Sequence, residues 1–375
     1  MLKTLILFFI SIFFVIIKKI YLGLFKRKNF QTLPGYLLLK INKKFLKFFV
    51  STFNCPVVFI TGTNGKTSTT SLLYNILISH NLRVLTNLSG SNLKRGVLSS
   101  VLLSYYKFVF NKPNILLFEV DEGSVQSLAN DFNTTNTNKY IVVLNLSRDQ
   151  LDRYGEVDIL AKKIKTSSIE NNFKIVSDKY CYYSILKPQL LPTLLNSKDI
   201  INTLNLHSSP HLISNFSYIN SVLNDLNIKL LPSKISQFTN VPGRGNTFNY
   251  LGCYYNLNLS KNPASFNTSL NSIYLKDATD VLILLNDNIP DGRDVSWIYD
   301  INYSLLQKKL NGKTIYVGGT RSYDLLNLLK ILKIPSFNFL SFENYSIFAK
   351  KTKINKTFVL ANYSATSHIL KNYAK

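Results

Sequence analysis

A chain of 375 residues can bury two or three hydrophobic cores, and this length excludes a small domain held together by disulfides or metals. The net charge is +24 and the isoelectric point is about 9.7. Such a charge suits nucleic acid, anionic lipid or a phosphorylated substrate, so it does not select a partner. The three cysteines, Cys55, Cys181 and Cys253, stand far apart and favour neither a disulfide framework nor a zinc ribbon, so a reducing cytosolic setting fits.

The N-terminus begins with an almost wholly apolar run over residues 1–17, which is followed by Lys18, Lys19, Lys26, Arg27 and Lys28. No small-residue cleavage site follows the run, so an export signal is not indicated. The run is at the lower limit of the ~17–25 residues that a membrane span needs. We predict a short anchor or an interfacial helix at the cytoplasmic face of the membrane, with the basic flank and the rest of the chain in the cytosol.

A phosphate-binding loop is predicted at Thr61-Gly62-Thr63-Asn64-Gly65-Lys66-Thr67. An apolar run at 57–60 precedes it and a helical apolar pattern follows it, which indicates a strand, a glycine turn and a helix. The glycines allow backbone N–H groups to converge on phosphate oxygens. Lys66 would neutralise phosphate charge and the Thr67 hydroxyl would bind Mg²⁺. The spacing is shorter than the general phosphate-loop motif, and the alternative is a plain strand-to-helix turn with an exposed lysine.

Strands and helices alternate along the first two thirds of the chain. Predicted strands lie at 57–60, 83–85, 115–120 and 140–144, and predicted helices at 67–79 and 95–106. This order predicts a parallel sheet covered on both faces, and therefore an α/β fold. Before it, Leu33-Pro34-Gly35 predicts a turn and 36–50 a helical stretch.

The turn 241–245 predicts a hinge between domains, because a proline and two glycines interrupt regular structure there. Beyond it, strands are predicted at 281–285, 314–317 and 357–360, and helices at 301–310 and 321–332. These elements indicate a second, smaller α/β domain. The predicted division is an apolar anchor over 1–30, an ATP-binding domain over 31–245 and a C-terminal domain over 246–375.

Polar side chains follow two of the predicted strands at the sheet edge where ligands of open α/β sheets bind. Glu119 lies at the end of the strand 115–120 and Glu122 follows it, and we favour Glu119 as a Mg²⁺ ligand, the alternative being a solvated strand end. The loop 145–156 contains two arginines, three carboxylates and two amides. That density predicts a binding function, although an exposed helix start would tolerate it. The four histidines share no metal-ligand spacing.

Seven segments, taken in order, resemble the MurT family of Mur ligases, and the resemblance as a whole covers about residues 33–335. They are 61–67, 87–92, 118–122, 145–156, 242–245, 261–264 and 286–297. The phosphate loop is shared by all Mur ligases and by folylpolyglutamate synthases. The RDQLDRYGE and DGRDVSW sequences are specific to MurT.

The resemblance implies a Mur ligase central domain and the ligase half of lipid II isoglutaminyl synthase. That enzyme amidates the α-carboxyl of D-glutamate in the peptidoglycan stem peptide. In the family, ATP phosphorylates the carboxylate, ammonia attacks the acyl phosphate, and a separate glutaminase, GatD, supplies the ammonia. We therefore expect ATP and Mg²⁺ as cofactors, lipid II as the substrate and a GatD-type glutaminase as the partner in a heterodimer.

Site roles follow from the same resemblance. Lys66 and Thr67 would serve the phosphates and the metal, and Glu119 would bind Mg²⁺. Asn145 and Arg148 would orient the phosphates or the substrate carboxylate.

The C-terminal domain is expected to add Asn262 and the segment 286–294 to the site on domain closure. An aspartate of MurT is thought to complete the Cys-His pair of the partner. The candidates are Asp287, Asp291 and Asp294, and Asp294 is our first choice.

Two departures from the family pattern affect these expectations. Many MurT proteins carry a four-cysteine zinc ribbon, but residues 178–212 contain only Cys181, so we predict no zinc. A glutamate commonly follows the hinge Gly-Arg-Gly, whereas Asn246 stands here, which leaves the adenine contact open.

Two other functions stay open. One is a Mur ligase or folylpolyglutamate-type synthase that adds an amino acid. The other is a non-catalytic, membrane-tethered nucleotide-binding protein. No aromatic groups beside clustered basic residues indicate a nucleic-acid groove, so nucleic acid is not a predicted partner.

Overall fold

The structure is a computed structural model that describes residues 2–25, 32–87, 91–134, 137–146, 157–178, 181–193, 210–229 and 244–374. These residues form two compact units. The first unit contains the described residues up to 146 and from 157 to 229, and the second contains residues 244–374. The predicted boundary at residue 245 stays a prediction, because residues 230–243 lie outside the described part.

The first unit is built on a sheet of five parallel strands in the order β2-β3-β1-β4-β5. The strands are β1 (Val57–Thr61), β2 (Val84–Thr86), β3 (Ile115–Glu119), β4 (Lys139–Val143) and β5 (Lys174–Val176). All residues of β1, β3 and β4 are buried, as their apolar runs require in a sheet covered on both faces. The predicted α/β fold is confirmed.

Nine helices of the first unit lie within the described residues. They are α1 (Leu2–Phe25), α2 (Leu33–Ile41), α3 (Phe45–Val50), α4 (Lys66–Ser79), α5 (Lys94–Phe108), α6 (Val125–Asp131), α7 (Val157–Asn171), α8 (Tyr183–Leu186) and α9 (Pro210–Asp225). The predicted apolar N-terminal helix is therefore present. Leu7 and Phe14 of α1 belong to the same hydrophobic core as the sheet.

The predicted turn at 33–35 is wrong, because α2 begins at Leu33. Pro34 stands in the first helical turn, where a backbone N–H has no intrahelical partner to lose. Gly35 allows α2 to approach α5 closely, since a Cβ there would lie 2.0 Å from the carbonyl oxygen of Arg95. The predicted helical stretch 36–50 is two helices, because Asn42 adopts an extended conformation after α2.

By length and composition, α1 is the one described helix that could cross a membrane. Its segment Leu2–Tyr21 has a mean hydropathy of 2.2. An apolar helix that packs on protein has the same length and composition, and α1 packs on α5.

The second unit is built on a six-stranded sheet in the order β10-β9-β8-β11-β7-β6, in which β6 runs antiparallel to β7. The strands are β6 (Arg244–Tyr250), β7 (Cys253–Leu259), β8 (Asp280–Leu284), β9 (Thr314–Gly318), β10 (Ser336–Leu340) and β11 (Lys356–Ala361). The helices are α10 (Pro263–Ser269), α11 (Ile273–Asp277), α12 (Tyr303–Leu310), α13 (Ser322–Ile331), α14 (Phe342–Lys351) and α15 (Tyr363–Asn372). Val281 and Ile283 of β8 face one core and Leu282 and Leu284 face the other, so both sides of this sheet are covered.

Candidate nucleotide site

The phosphate loop joins β1 to α4, and its two glycines are required by its shape. Gly62 has a φ of 126° and Gly65 a φ of 88°, a backbone region that other residues rarely adopt. A Cβ at Gly62 would lie 2.7 Å from the carbonyl oxygen of Asn145. The loop ends at the N-terminus of α4, where free N–H groups and the helix dipole favour an anion. The predicted order of strand, glycine turn and helix is confirmed.

Lys66 is buried, which contradicts the alternative of a plain turn with an exposed lysine. Its Nζ lies 3.1 Å from Glu122 Oε2 and also donates to the carbonyl oxygen of Gly62. Burial lowers the pKa of Lys66, but the carboxylates of Glu122, Glu119 and Asp121 outweigh it, so the pKa is above the ordinary lysine value. Lys66 is therefore protonated at neutral pH, and its ammonium group is suited to bind a polyphosphate.

Glu119 ends β3, which pairs with β1 in the sheet, so this carboxylate is placed beside the phosphate loop. It is buried, and Asn92 Nδ2 donates to its Oε1 at 3.3 Å. Asn87 fixes the backbone of Glu119 on both sides: its Oδ1 accepts from the amide and its Nδ2 donates to the carbonyl, each at 2.8 Å. No role was predicted for either asparagine, although both belong to the segment 87–92 that carried the family resemblance.

Asn145 follows β4 on the other side of β1, and its side chain contacts the phosphate loop. Its Oδ1 accepts from the amide of Asn64 and its Nδ2 donates to the carbonyl of Asn64, both at 2.9 Å. Its own carbonyl accepts from the amide of Thr63 at 3.0 Å. We expected Asn145 to orient phosphates or substrate, and the structure shows that both polar side-chain atoms hold the loop backbone. Arg148, the other residue predicted in this role, lies outside the described residues.

Residues suited to Mg²⁺ are present beside the loop. Thr67 is the second residue of α4 and is partly buried, and Glu119 offers a carboxylate at the adjacent strand end. Hydroxyl and carboxylate oxygens, together with phosphate oxygens and water, are the donors that Mg²⁺ prefers. The glycine turn, the buried charge of Lys66 and these two oxygen donors fit a nucleotide with its metal.

Asn262 in the second unit, predicted to contact the nucleotide, is the N-cap of α10. Its Oδ1 accepts from the amide of Ser265 at 2.9 Å, and Ser265 Oγ accepts from the amide of Asn262 at 3.1 Å. The side-chain oxygen is therefore used to begin the helix.

The three candidate aspartates follow β8 and differ in what they contact. Asp287 accepts from Thr320 Oγ1 at 2.7 Å. Asp291 accepts from both the amide and the hydroxyl of Ser364, at 2.8 Å and 2.5 Å.

Asp294 is the most exposed of these aspartates and caps a 3₁₀ turn by accepting from the amide of Ser296 at 2.8 Å. Hydrogen bonding to Ser296 holds the pKa of Asp294 below its usual range. The Asp294 carboxylate is therefore ionised and accessible from solvent.

Comparison with known proteins agrees with these features. The family model described as Mur ligase middle domain matches residues 60–255, and the one described as MurT ligase C-terminal matches residues 259–366. The MurT subunit of lipid II isoglutaminyl synthase from Staphylococcus aureus (strain COL) is 27% identical over 92% of each chain. Among solved structures, the MurF ligase from Thermotoga maritima in complex with ADP has a TM-score of 0.64 at 16% identity, covering 91% of this chain and 83% of that one. Helicobacter pylori folylpolyglutamate synthetase has a TM-score of 0.58 at 14% identity, covering 90% and 94%; these two likenesses show the fold.

The phosphate loop, the buried lysine and the match over more than half of the chain place the protein in the Mur ligases, a class of ATP-dependent ligases. The chain belongs to the MurT family within that class, because its second unit matches the MurT C-terminal domain and its alignment with a MurT subunit runs along nearly the whole chain. The family predicted from the sequence motifs is thus confirmed.

Proposed function

We propose that this protein is the ligase subunit that amidates the α-carboxyl of D-glutamate in the stem peptide of lipid II, giving D-isoglutamine. The proposal rests on one observation above all: the alignment covers 92% of both chains with a relative named as the MurT subunit of a glutamine-hydrolysing lipid II isoglutaminyl synthase. The phosphate loop with its charged lysine supports the ATP-dependent half of the reaction.

A carboxylate accepts a nucleophile only after one of its oxygens has been phosphorylated. In the proposed reaction that oxygen attacks the γ-phosphorus of ATP and ADP leaves. Ammonia then attacks the acyl carbon, inorganic phosphate leaves, and the nitrogen gives up a proton to form the amide. Lys66 and the loop amides would offset phosphate charge, and Asn145 would hold the loop in position through Asn64. Mg²⁺, held by Thr67 and Glu119, would neutralise the remaining phosphate charge.

Ammonia would come from a GatD-type glutaminase. A glutaminase of the cysteine type needs a thiolate nucleophile, and the thiols of Cys55, Cys181 and Cys253 are all buried. Burial raises the pKa of the Cys55 thiol to about 12 and raises the pKa of Cys181 and Cys253 as well. These thiols are poorly suited to the reaction, which supports a separate subunit. We further propose that the exposed Asp294 assists the Cys-His pair of that partner.

We also propose that the protein works at the cytoplasmic face of the membrane, where a lipid-linked substrate is presented. The apolar helix α1 and its basic flank support this location.

The decisive experiment supplies the purified protein and a GatD-type glutaminase with ATP, Mg²⁺, glutamine and lipid II. We expect the stem peptide to show the mass change of a hydroxyl replaced by an amino group, with release of ADP. Lys66→Ala should remove both signals while the protein stays folded by circular dichroism. No mass change, alongside a positive control enzyme that does react, would refute the proposal. ADP release that requires an added amino acid rather than ammonia would establish the alternative synthase reaction.

A further inference from the structure

Between Leu5 and Ile17, Ser11 is the one polar residue of helix α1, but protein covers only one face of this apolar stretch. Leu7, Ser11 and Phe14 are buried, and their spacing of four and three residues places them on one side of the helix. The opposite side carries an exposed stripe, defined by Phe9, Phe13, Ile16 and Ile20, which are 60%, 58%, 51% and 55% exposed. A helix that is hydrophobic all round needs an apolar environment on every side, so a partner is missing from the exposed stripe.

The buried side of α1 is fixed to α5 by a polar contact as well as by packing. Ser11 Oγ donates to the carbonyl oxygen of Leu102 at 2.6 Å and accepts from the amide of Tyr106 at 3.1 Å. Leu102 and Tyr105 of α5 are fully buried in the core of the first unit. Pulling α1 away would expose this core and leave the Ser11 hydroxyl without these partners, so α1 is part of the folded unit.

The N-terminal end of α1 is also held by the first unit. Lys3 Nζ donates to Ser51 Oγ at 2.8 Å and lies 5.6 Å from the ring centroid of Phe48. Lys18 and Lys19 stand near the other end of the same helix. A helix that crossed a bilayer would place Lys3 on the opposite side from Lys18, away from the unit that it contacts here. The observed contacts therefore fit a helix that lies along a surface.

Residues 1–118, which include this helix, carry most of the net positive charge of the chain. The first acidic residue of the whole chain is Glu119, and residues 1–118 contain 16 lysines and arginines. Two of these, Lys66 and Lys94, pair with Glu122 and Asp131. The net charge of this part, +16 of the total +24, favours an anionic partner.

We propose that α1 lies flat in the interface of an anionic bilayer, with the exposed stripe in the acyl boundary and the Ser11 side docked on α5. Phe110, which is 83% exposed and has its ring centroid 5.6 Å from that of Phe8, extends the apolar surface beyond the helix. Nucleic acid would match the charge but offers nothing to an apolar stripe. A second copy of the chain would bring two strongly basic surfaces together. Anionic lipid matches both properties.

Sedimentation of the whole chain with vesicles tests whether anionic lipid covers the exposed stripe. We expect binding to phosphatidylcholine vesicles that contain phosphatidylglycerol, weaker binding without it, and a loss of about tenfold or more in Phe9→Gln/Phe13→Gln. The matched control is Ile169→Gln/Ile331→Gln, which removes two apolar side chains that are 68% and 69% exposed on other helices and should bind like the wild type. Equal loss in both double variants, or no vesicle binding by the wild type, overturns the proposal. So does a lipid-free dimer that only Phe9→Gln/Phe13→Gln dissociates, or binding to duplex DNA that displaces the vesicles.

Labelling tests the orientation. Cysteines introduced as Lys3→Cys and Lys19→Cys in membranes of known sidedness should both react with an impermeant maleimide from the cytoplasmic side. Reaction from opposite sides shows a membrane span and overturns the flat arrangement. This inference does not depend on the ligase chemistry. Loss of vesicle binding with retained ATP turnover in solution affects only the membrane contact, whereas intact vesicle binding without ligase activity affects only the proposed function.

Discussion

Glu122 Oε2 lies 3.1 Å from Lys66 Nζ, and each side chain is only 10% exposed. The lysine that is expected to meet the phosphates of ATP already has a carboxylate partner in the protein alone. A charge that is buried without compensation is strongly unfavourable, so Glu122 stabilises the loop until phosphate takes its place. We therefore expect Glu122 and a nucleotide to compete for the same ammonium group.

Glu122→Gln tests this competition. We expect the unfolding free energy of the nucleotide-free protein to fall by about 1–3 kcal/mol, because Lys66 loses its charged hydrogen-bond partner. ADP should bind about threefold to tenfold more tightly, since no carboxylate has to be displaced. Isothermal calorimetry measures the affinity and chemical denaturation the stability. The control is Glu170→Gln on the exposed side of α7, which should change neither; an unchanged ADP affinity in Glu122→Gln would contradict the competition.

Asn145→Ala removes both side-chain hydrogen bonds that hold Asn64. We expect ADP affinity to fall by about tenfold to 100-fold, because the loop must then be ordered by the nucleotide itself. Asn171→Ala is the control: like Asn145, Asn171 is an asparagine with side-chain hydrogen bonds, here to Asn130 Oδ1 at 2.8 Å, but it lies in α7. The control should lower stability and leave ADP affinity in the folded protein unchanged. If both variants lose affinity equally, Asn145 has no special role in the loop.

Substitutions of Asp294 and Asp291 should have different effects in the complex with a glutaminase. Asp294→Asn should lower glutamine hydrolysis by about 100-fold and leave ADP release with free ammonia intact, because the exposed carboxylate is proposed to act on the partner. Asp291→Asn should instead lower the melting temperature, because Asp291 holds the start of α15 through Ser364. Glutaminase assays and calorimetry distinguish the two. Normal glutamine hydrolysis in Asp294→Asn would remove this residue from the proposal.

Asp225 should make the stability of the first unit depend on pH in the acid range. Its Oδ2 accepts from Lys174 Nζ and from the Tyr140 hydroxyl, both at 2.6 Å, and these bonds, the Lys174 bond first, lower the pKa of Asp225. A carboxyl with a lowered pKa stabilises the fold above its unfolded pKa of about 4, and this stabilisation is lost as the pH falls through the folded pKa.

The predicted loss is modest, about 1 kcal/mol or less, since the Lys174 side chain is 42% exposed and solvent screens the pair. Asp225→Asn should abolish this part of the acid dependence in denaturation measured between neutral pH and the range below about pH 4. Asp158→Asn, a change on the exposed side of α7, should keep it. A wild-type acid profile that Asp225→Asn does not alter would contradict the assignment.

Much of the first unit could be predicted from sequence because its signals are local. The buried strands β1, β3 and β4 are continuous apolar runs, and the glycine loop stands between one of them and a helix. Strands β5, β6, β7 and β10 were not predicted. Asparagines interrupt the apolar pattern of β6 and β7, and β10 is only partly buried, so their pairing within the sheet determines their conformation.

In the candidate site, too, local features could be predicted and contacts between distant segments could not. Lys66 and Glu119 were predicted because their roles follow from motif position and strand ends. The support given by Asn87 to the Glu119 backbone and by Asn145 to Asn64 depends on contacts across 32 and 81 residues of chain, which no spacing rule contains. The N-cap role of Asn262 could have been read locally, since a proline follows it and Ser265 stands three residues beyond.

Because α1 packs on α5, it is synthesised well before the helix that covers it. Helix α1 ends at Phe25, but its partner is complete only at Phe108. At about 5–20 residues per second, a ribosome needs roughly 4 to 17 s to add the intervening residues. Throughout that time this apolar helix has no α5 to cover its Ser11 side, and a chaperone or the membrane itself has the first opportunity to bind it.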